Sequence, residues 1–182
     1  EFDLYIKNKF ISKVSINLLS YHSVENVLCA ICTCLSLDMS IEDILKNIKN
    51  IKPIEHRLEL KYIDNIEVID DSYNSNIKGF KEALDILNKS NKYKILITPG
   101  IIEQGENNKE ISMELAKEIV KKANYVYLVS ENSKYIEEYF KDIKYLNYSY
   151  KDKFWDAFKE IKEIDQEKIV LIENDLPDIY LN

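Results

Sequence analysis

The segment Ile66-Glu67-Val68-Ile69-Asp70-Asp71-Ser72-Tyr73-Asn74-Ser75-Asn76-Ile77-Lys78-Gly79 runs from an apolar stretch through a polar cluster into helical spacing. Its first part is apolar at consecutive positions, as a strand buried on both faces of a parallel sheet must be. Three other runs share that character: Ile95-Leu96-Ile97, Val126-Tyr127-Leu128-Val129 and Ile169-Val170-Leu171-Ile172. Working outward from them, strands are predicted at 58–63, 66–70, 94–98, 124–129 and 168–172, with a weaker one at 143–146. Helical periodicity falls between them, at 78–89, 108–122, 133–141 and 152–163. Strands alternating with helices predict an α/β fold, a mostly parallel sheet covered by helices on both faces.

The chain before Pro53 reads differently. Residues 2–18 alternate in the strand manner and suit a hairpin turning at Lys7-Asn8-Lys9. Ser23 is then expected to cap a helix carrying Val24, Val27, Leu28, Ile31 and Leu35. Ser40, with Asp43 three residues on, begins a second helix. Residues 1–52 therefore form a small α+β piece, and 54–182 form the α/β domain. Cys29, Cys32 and Cys34 lie within the first helical stripe, with no second pair to complete a zinc site, and read as small buried apolar residues.

Composition excludes several classes. The 182 residues carry 25 Lys+Arg against 32 Asp+Glu, a formal charge of −7. Such a chain does not read as a general nucleic-acid coat. No apolar run approaches the roughly 20 residues of a membrane span. The opening Glu1-Phe2-Asp3-Leu4-Tyr5 lacks the basic and apolar regions of a signal peptide, so a cytoplasmic location is expected. Only three glycines occur, Gly79, Gly100 and Gly105. Neither G-x-x-x-x-G-K-[ST] nor G-x-G-x-x-G is present, so no phosphate-cradling loop lies in this chain.

Arginine is scarcer still, Arg57 being the sole one. Its planar fork of donors matches a phosphate or carboxylate in a way lysine's point charge does not. In an open parallel sheet, ligands bind beyond the carboxyl ends of the strands. Polar clusters are expected there: Asp70–Asn76, Thr98–Gly105, Ser130–Ser133 and Glu173–Asp178. Asn, Asp and Ser also make ordinary turns and caps, which accounts for much of the last two. The 70–76 cluster exceeds what a cap needs, and a carboxylate at such a strand end suits ribose hydroxyls. His22 and His56 taken singly read as structural residues.

Taken in order, His22-x-x-x-Asn26, then His56-Arg57-Leu58-Glu59, then Asp70-Asp71-Ser72-Tyr73-Asn74-Ser75-Asn76 resemble the Mur ligases, the ATP-dependent amide ligases of peptidoglycan precursor synthesis. Within that family the last string is most similar to the branch that joins D-alanyl-D-alanine to a UDP-N-acetylmuramoyl-tripeptide. The resemblance implies that 1–52 are the end of a central ATP-binding domain and 54–182 a Rossmann-like C-terminal domain. It implies ATP and Mg2+ as cofactors, the metal held by upstream residues, and a UDP-linked muramoyl peptide as partner substrate. It assigns Asn26 to the adenine, Arg57 to a phosphate and Asp71 to the ribose. His22, Asp70, Tyr73, Asn74 and Asn76 become neighbours of that site, while Gly100, Glu131, Asn132, Glu173 and Asp175 match acceptor-binding positions. Glu173-Asn174-Asp175-Leu176 stands where the family carries K-G-S-R, an acidic loop in place of a basic one.

Overall fold

The computed structural model describes residues 1–73, 75–102 and 105–174. The chain divides into two compact units, Glu1–Ile54 and Glu55–Asn182.

In the first unit, β1 (Phe2–Ile6) and β2 (Lys9–Val14) form an antiparallel hairpin. Lys7 and Asn8 both have positive φ, 48° and 64°, as a type I′ turn requires. Helices α1 (Tyr21–Ser36) and α2 (Ile41–Ile48) follow. Leu4 and Val14 of the hairpin, Val27 and Ile31 of α1, and Ile44 and Ile48 of α2 make one small core. Ser40 caps α2 as expected, accepting from the Asp43 N–H at 3.1 Å. The cap of α1 lies three residues earlier than the sequence reading placed it. Ser20 accepts from the Ser23 N–H at 3.0 Å, so Ser23 is a first-turn residue. The cysteines are also corrected, since Cys29 and Cys32 are exposed and Cys34 is half-buried. Helical spacing sets which residues share a stripe, but only tertiary neighbours decide how wide a buried stripe is.

The second unit is a six-stranded sheet in the order β3-β4-β8-β5-β6-β7. Its strands are β3 (Glu59–Ile63), β4 (Ile66–Asp71), β5 (Tyr93–Thr98), β6 (Tyr125–Val129), β7 (Asn147–Lys151) and β8 (Lys168–Glu173). Only β3 runs antiparallel, joined to β4 by Asp64 and Asn65, again both at positive φ. The other pairings are parallel. The connecting helices are α3 (Ile77–Asn88), α4 (Asn108–Lys122), α5 (Lys134–Phe140) and α6 (Phe154–Lys162). Alternate strand residues serve opposite faces. Val68, Ile95, Ile97, Tyr127, Val129 and Val170 meet Phe154, Ala157, Phe158 and Ile161 of α6. Their neighbours Ile69, Leu96, Val126, Leu128 and Leu171 are just as buried and point the other way. That side belongs to the contiguous helices α3, α4 and α5, with α3 against β8.

One strand departs from the sequence reading. The residues expected to pair, 143–146, precede β7, and Asn147–Lys151 pair instead. As an edge strand, β7 buries little and needs no apolar run. It is held by its pairing with β6 along its full length, and Tyr148 packs on Phe140 with ring centroids 5.4 Å apart.

Candidate functional site

The sheet order sets the ends of β4, β8, β5 and β6 side by side along one edge. Those ends carry Asp70-Asp71, Glu173-Asn174, Thr98-Pro99-Gly100 and Ser130. Asn174, at φ 74°, ties three of the loops together. Its N–H donates to the Asp71 carbonyl at 3.1 Å. Its side-chain oxygen accepts from the Ser75 N–H at 3.0 Å, and its amide group donates to the Gly100 carbonyl. Asn174 was not singled out from the sequence, where an Asn after a strand reads as an ordinary turn residue.

The segment before β3 is latched to the end of β4. His56 and Leu58 both sit at positive φ, 62° and 48°, a costly backbone for such residues. Four bonds hold them. The Leu58 N–H donates to Asp71 Oδ1 at 3.1 Å. The Tyr73 N–H donates to the His56 carbonyl at 3.2 Å. His56 Nδ1 lies 2.9 Å from Asp70 Oδ2 and 3.3 Å from the Ser72 hydroxyl. Between them, the Arg57 guanidinium carbon stands 4.4 Å from the centre of the Tyr73 ring. The lone guanidinium is therefore stacked on a neighbour rather than buried in a structural ion pair.

The two adjacent carboxylates differ in role. Asp70 is buried and accepts from Lys61 Nζ, His56 and the Ser72 N–H. Burial alone would push its carboxyl up, but the bonds from Lys61, Ser72 and His56 outweigh it and hold the group below its usual range. Asp70 is thus the anchor of the latch. The sequence signal for Lys61 was available only through pairing, since Asp70 faces Glu59 in register and Lys61 is two residues along β3. Asp71 is half-buried, with Oδ1 committed to Leu58 and Arg57 nearby. Burial raises its carboxyl, and Glu173, the Leu58 N–H and Arg57 offset this only in part.

The remaining site residues fall as follows. Asn76 caps α3, its Oδ1 accepting from the N–H groups of Lys78 and Gly79 at 3.0 Å. Gly100 is buried, at φ 80°, and a Cβ there would stand 3.2 Å from the end of Ile136. Glu131 is exposed and Asn132 half-buried, on a turn where Ser133 Oγ donates to the Ser130 carbonyl at 2.7 Å. Glu173 is fully buried, its carboxyl turned inward rather than displayed to solvent. In the first unit, His22 Nδ1 lies 2.9 Å from Glu25 on α1, and Asn26 is exposed one turn on. Asn74 and Asp175 lie outside the described residues, as do Glu103 and Gln104. Among the described residues no three His, Cys, Asp or Glu side chains converge as a metal would need. No helix among them is long and apolar enough to cross a membrane.

Residues 56–173 match the family model for Mur ligase, glutamate ligase domain. A UDP-N-acetylmuramoylalanine–D-glutamate ligase of Clostridium tetani is 35% identical over 144 residues, covering 78% of this chain and 29% of the relative. A UDP-N-acetylmuramoyl-tripeptide–D-alanyl-D-alanine ligase of Buchnera aphidicola from Acyrthosiphon pisum is 31% identical over 96 residues, covering 52% of this chain and 21% of the relative. The chain thus spans under a third of these two relatives. Among solved structures, MurF ligase from Thermotoga maritima in complex with ADP shares the fold, with a TM-score of 0.77 at 15% identity, over 96% of this chain and 42% of that one.

Proposed function

Since this chain belongs to the Mur ligase family, we propose that it forms part of a longer ATP-dependent amide ligase of peptidoglycan precursor synthesis. The observation that carries the reading is the placement of Arg57. The sole guanidinium is held over Tyr73, beside Asp71, at the carboxyl edge of a parallel sheet. In this reading Arg57 engages a phosphate of ATP and the Asp71 carboxylate accepts from the ribose. Asn26, on α1 of the first unit, meets the adenine, with His22 on the same helix. Asp70 and Asn76 shape the site from beneath, as latch and helix cap, while Tyr73 supports Arg57 and Asn74 completes the string. Gly100, Glu131, Asn132, Glu173 and Asp175 are assigned by the family resemblance to the acceptor side. The first unit is then the end of the central ATP-binding domain, and the second the C-terminal domain. Mg2+ and the phosphate loop fall to upstream residues, so the 182-residue chain alone is expected not to turn over ATP.

The chemistry follows from charge. A substrate carboxylate oxygen attacks the terminal phosphorus of ATP and ADP departs, leaving an acyl phosphate. An amine adds to that carbonyl and loses a proton. The tetrahedral intermediate then collapses with expulsion of phosphate. Arg57 neutralises phosphate charge and fixes its position, where most of the rate gain in phosphoryl transfer arises.

The D-D-S-Y-N string supports D-alanyl-D-alanine as the amine and a UDP-muramoyl tripeptide as the carboxylate. A second reading, D-glutamate as the amine, is favoured by the higher identity to the Clostridium tetani ligase. An acceptor panel with the full-length enzyme separates them by following ADP release. Release that depends on D-alanyl-D-alanine and UDP-muramoyl tripeptide supports the first, and dependence on D-glutamate and UDP-muramoyl-alanine the second. Nucleotide binding without turnover under every pairing overturns both and leaves a docking module.

A further inference from the structure

Asp71 and Glu173 are register partners in the parallel ladder of β4 and β8. Partners in such a ladder project to the same side of the sheet, about 5 Å apart, and two carboxylates this close resist ionising together. Glu173 is fully buried, and neither of its oxygens makes a hydrogen bond among the described residues. An ionised carboxylate left in that state is far costlier than a neutral one. A neutral carboxyl needs an acceptor for its own O–H. Its polar neighbours are the Asp71 carboxylate and the Ser75 hydroxyl. Ser75 spends its one proton on the Asn76 carbonyl at 3.1 Å and has none to give Glu173, while the Asp71 carboxylate, as a charged group that only accepts, is the stronger of the two acceptors. On Asp71 the Leu58 N–H takes Oδ1, leaving Oδ2 to be fixed.

We propose that Glu173 is a positioning residue: standing neutral, it donates its carboxyl proton to Oδ2 of Asp71, and with Leu58 on Oδ1 it locks the plane of that carboxylate. The function of the lock rests on the reading of Asp71 as the ribose acceptor; the shared proton does not. The surroundings agree. Burial first, and then the Asp71 charge, hold the Glu173 carboxyl well up. Around Asp71, Arg57 favours the ionised form, while Asp70 opposes it. Thr98, on β5 at the same edge, spends its oxygen on the Gly100 N–H. An acid held neutral by folding binds a proton the unfolded chain releases, so stability falls as pH rises above the ordinary glutamate range.

Three measurements test this. In the 182-residue chain, the Glu173 side-chain carboxyl 13C shift is expected to be that of a protonated acid at pH 7. A shift showing ionisation by pH 6 overturns the shared proton. Stability of E173Q, which keeps a donor but cannot ionise, is expected to lose the decline between pH 5 and 8; an unchanged slope overturns it too. In the full-length enzyme, E173L is expected to raise KM for ATP about tenfold with little change in kcat, one hydrogen bond to a charged group lost. E173Q then restores most of that loss. Equal KM for E173Q and E173L means packing alone and overturns the positioning role. If R57K leaves KM for ATP unaltered, the nucleotide reading fails, while the first two measurements still judge the proton pair.

Discussion

Replacing Asp70 by Asn should unlatch the segment that presents Arg57. The carboxylate accepts from His56 Nδ1 at 2.9 Å, from Lys61, and from the Ser72 N–H at 3.1 Å. An amide keeps one acceptor oxygen, enough for Ser72, but turns its NH2 toward Lys61 and His56, which are themselves donors. Two bonds to a charged acceptor are lost, each worth about 1.5–3 kcal/mol. Lys61 and His56 are 32% and 47% exposed, so both recover water and the lower end applies. The cost is therefore about 3 kcal/mol. With a urea slope of about 1–3 kcal/mol per molar, the unfolding midpoint should fall by about 1–3 M. Trp155 is the sole tryptophan and lies on α6, so its fluorescence reports the second unit alone. The sign with pH is fixed as well. A carboxyl held low in the folded state contributes stability above its unfolded pKa of about 3.9 and loses it as pH falls further. The gap between wild type and Asp70→Asn should therefore narrow below about pH 4. A midpoint unchanged within about 0.3 M, or a gap undiminished at pH 3, refutes the latch.

Two further outcomes are expected. In the full-length enzyme, Arg57→Lys should lower kcat/KM for ATP by about tenfold to a hundredfold, because the charge survives but the fork is lost, while the unfolding midpoint of the chain stays near wild type; steady-state kinetics set beside a urea titration check both. Asn76→Ala should cost about 1 kcal/mol of stability through loss of the α3 cap, read by the same Trp155 transition, and should change KM for ATP by less than about twofold if the cap is its main role.

Legibility differed by residue. Four buried strands were readable because each carries consecutive apolar residues that nothing but a two-faced sheet can bury, and their helices followed from the spacing. β7 was displaced because an edge strand is held by backbone pairing and one aromatic contact, neither of which leaves an apolar signature. The cap of α1 moved from Ser23 to Ser20 because both serines suit the role and only the backbone chooses; their hydroxyls lie 2.8 Å apart. Within the site, Asp70, Asp71 and Tyr73 were visible as a string, and Arg57 by its rarity. That Asp70 is an anchor and Asp71 a shared acceptor was not visible. The difference is made by Lys61 across the β3–β4 hairpin and by Glu173 across the β4–β8 ladder, both supplied by pairing. Asn174, quoted only as part of its loop, was not singled out for the same reason, since its partners are spread over three loops.

The strand that comes last among the described residues is not at an edge. β8 lies between β4 and β5, pairing Val68 with Val170 and Ile95 with the same Val170. Until it arrives, the β3–β4 hairpin and the β5–β6–β7 ladder face each other across an unfilled slot, each with an open row of amides and carbonyls. Closing that slot is a contact of long sequence separation, and such contacts make folding slow. During synthesis the sheet stays in two halves until residues 168–173 are made, and both halves are exposed to mispairing meanwhile. The strand that zips them together also delivers Glu173 and Asn174, so the edge loops acquire their ties in the same event that completes the sheet.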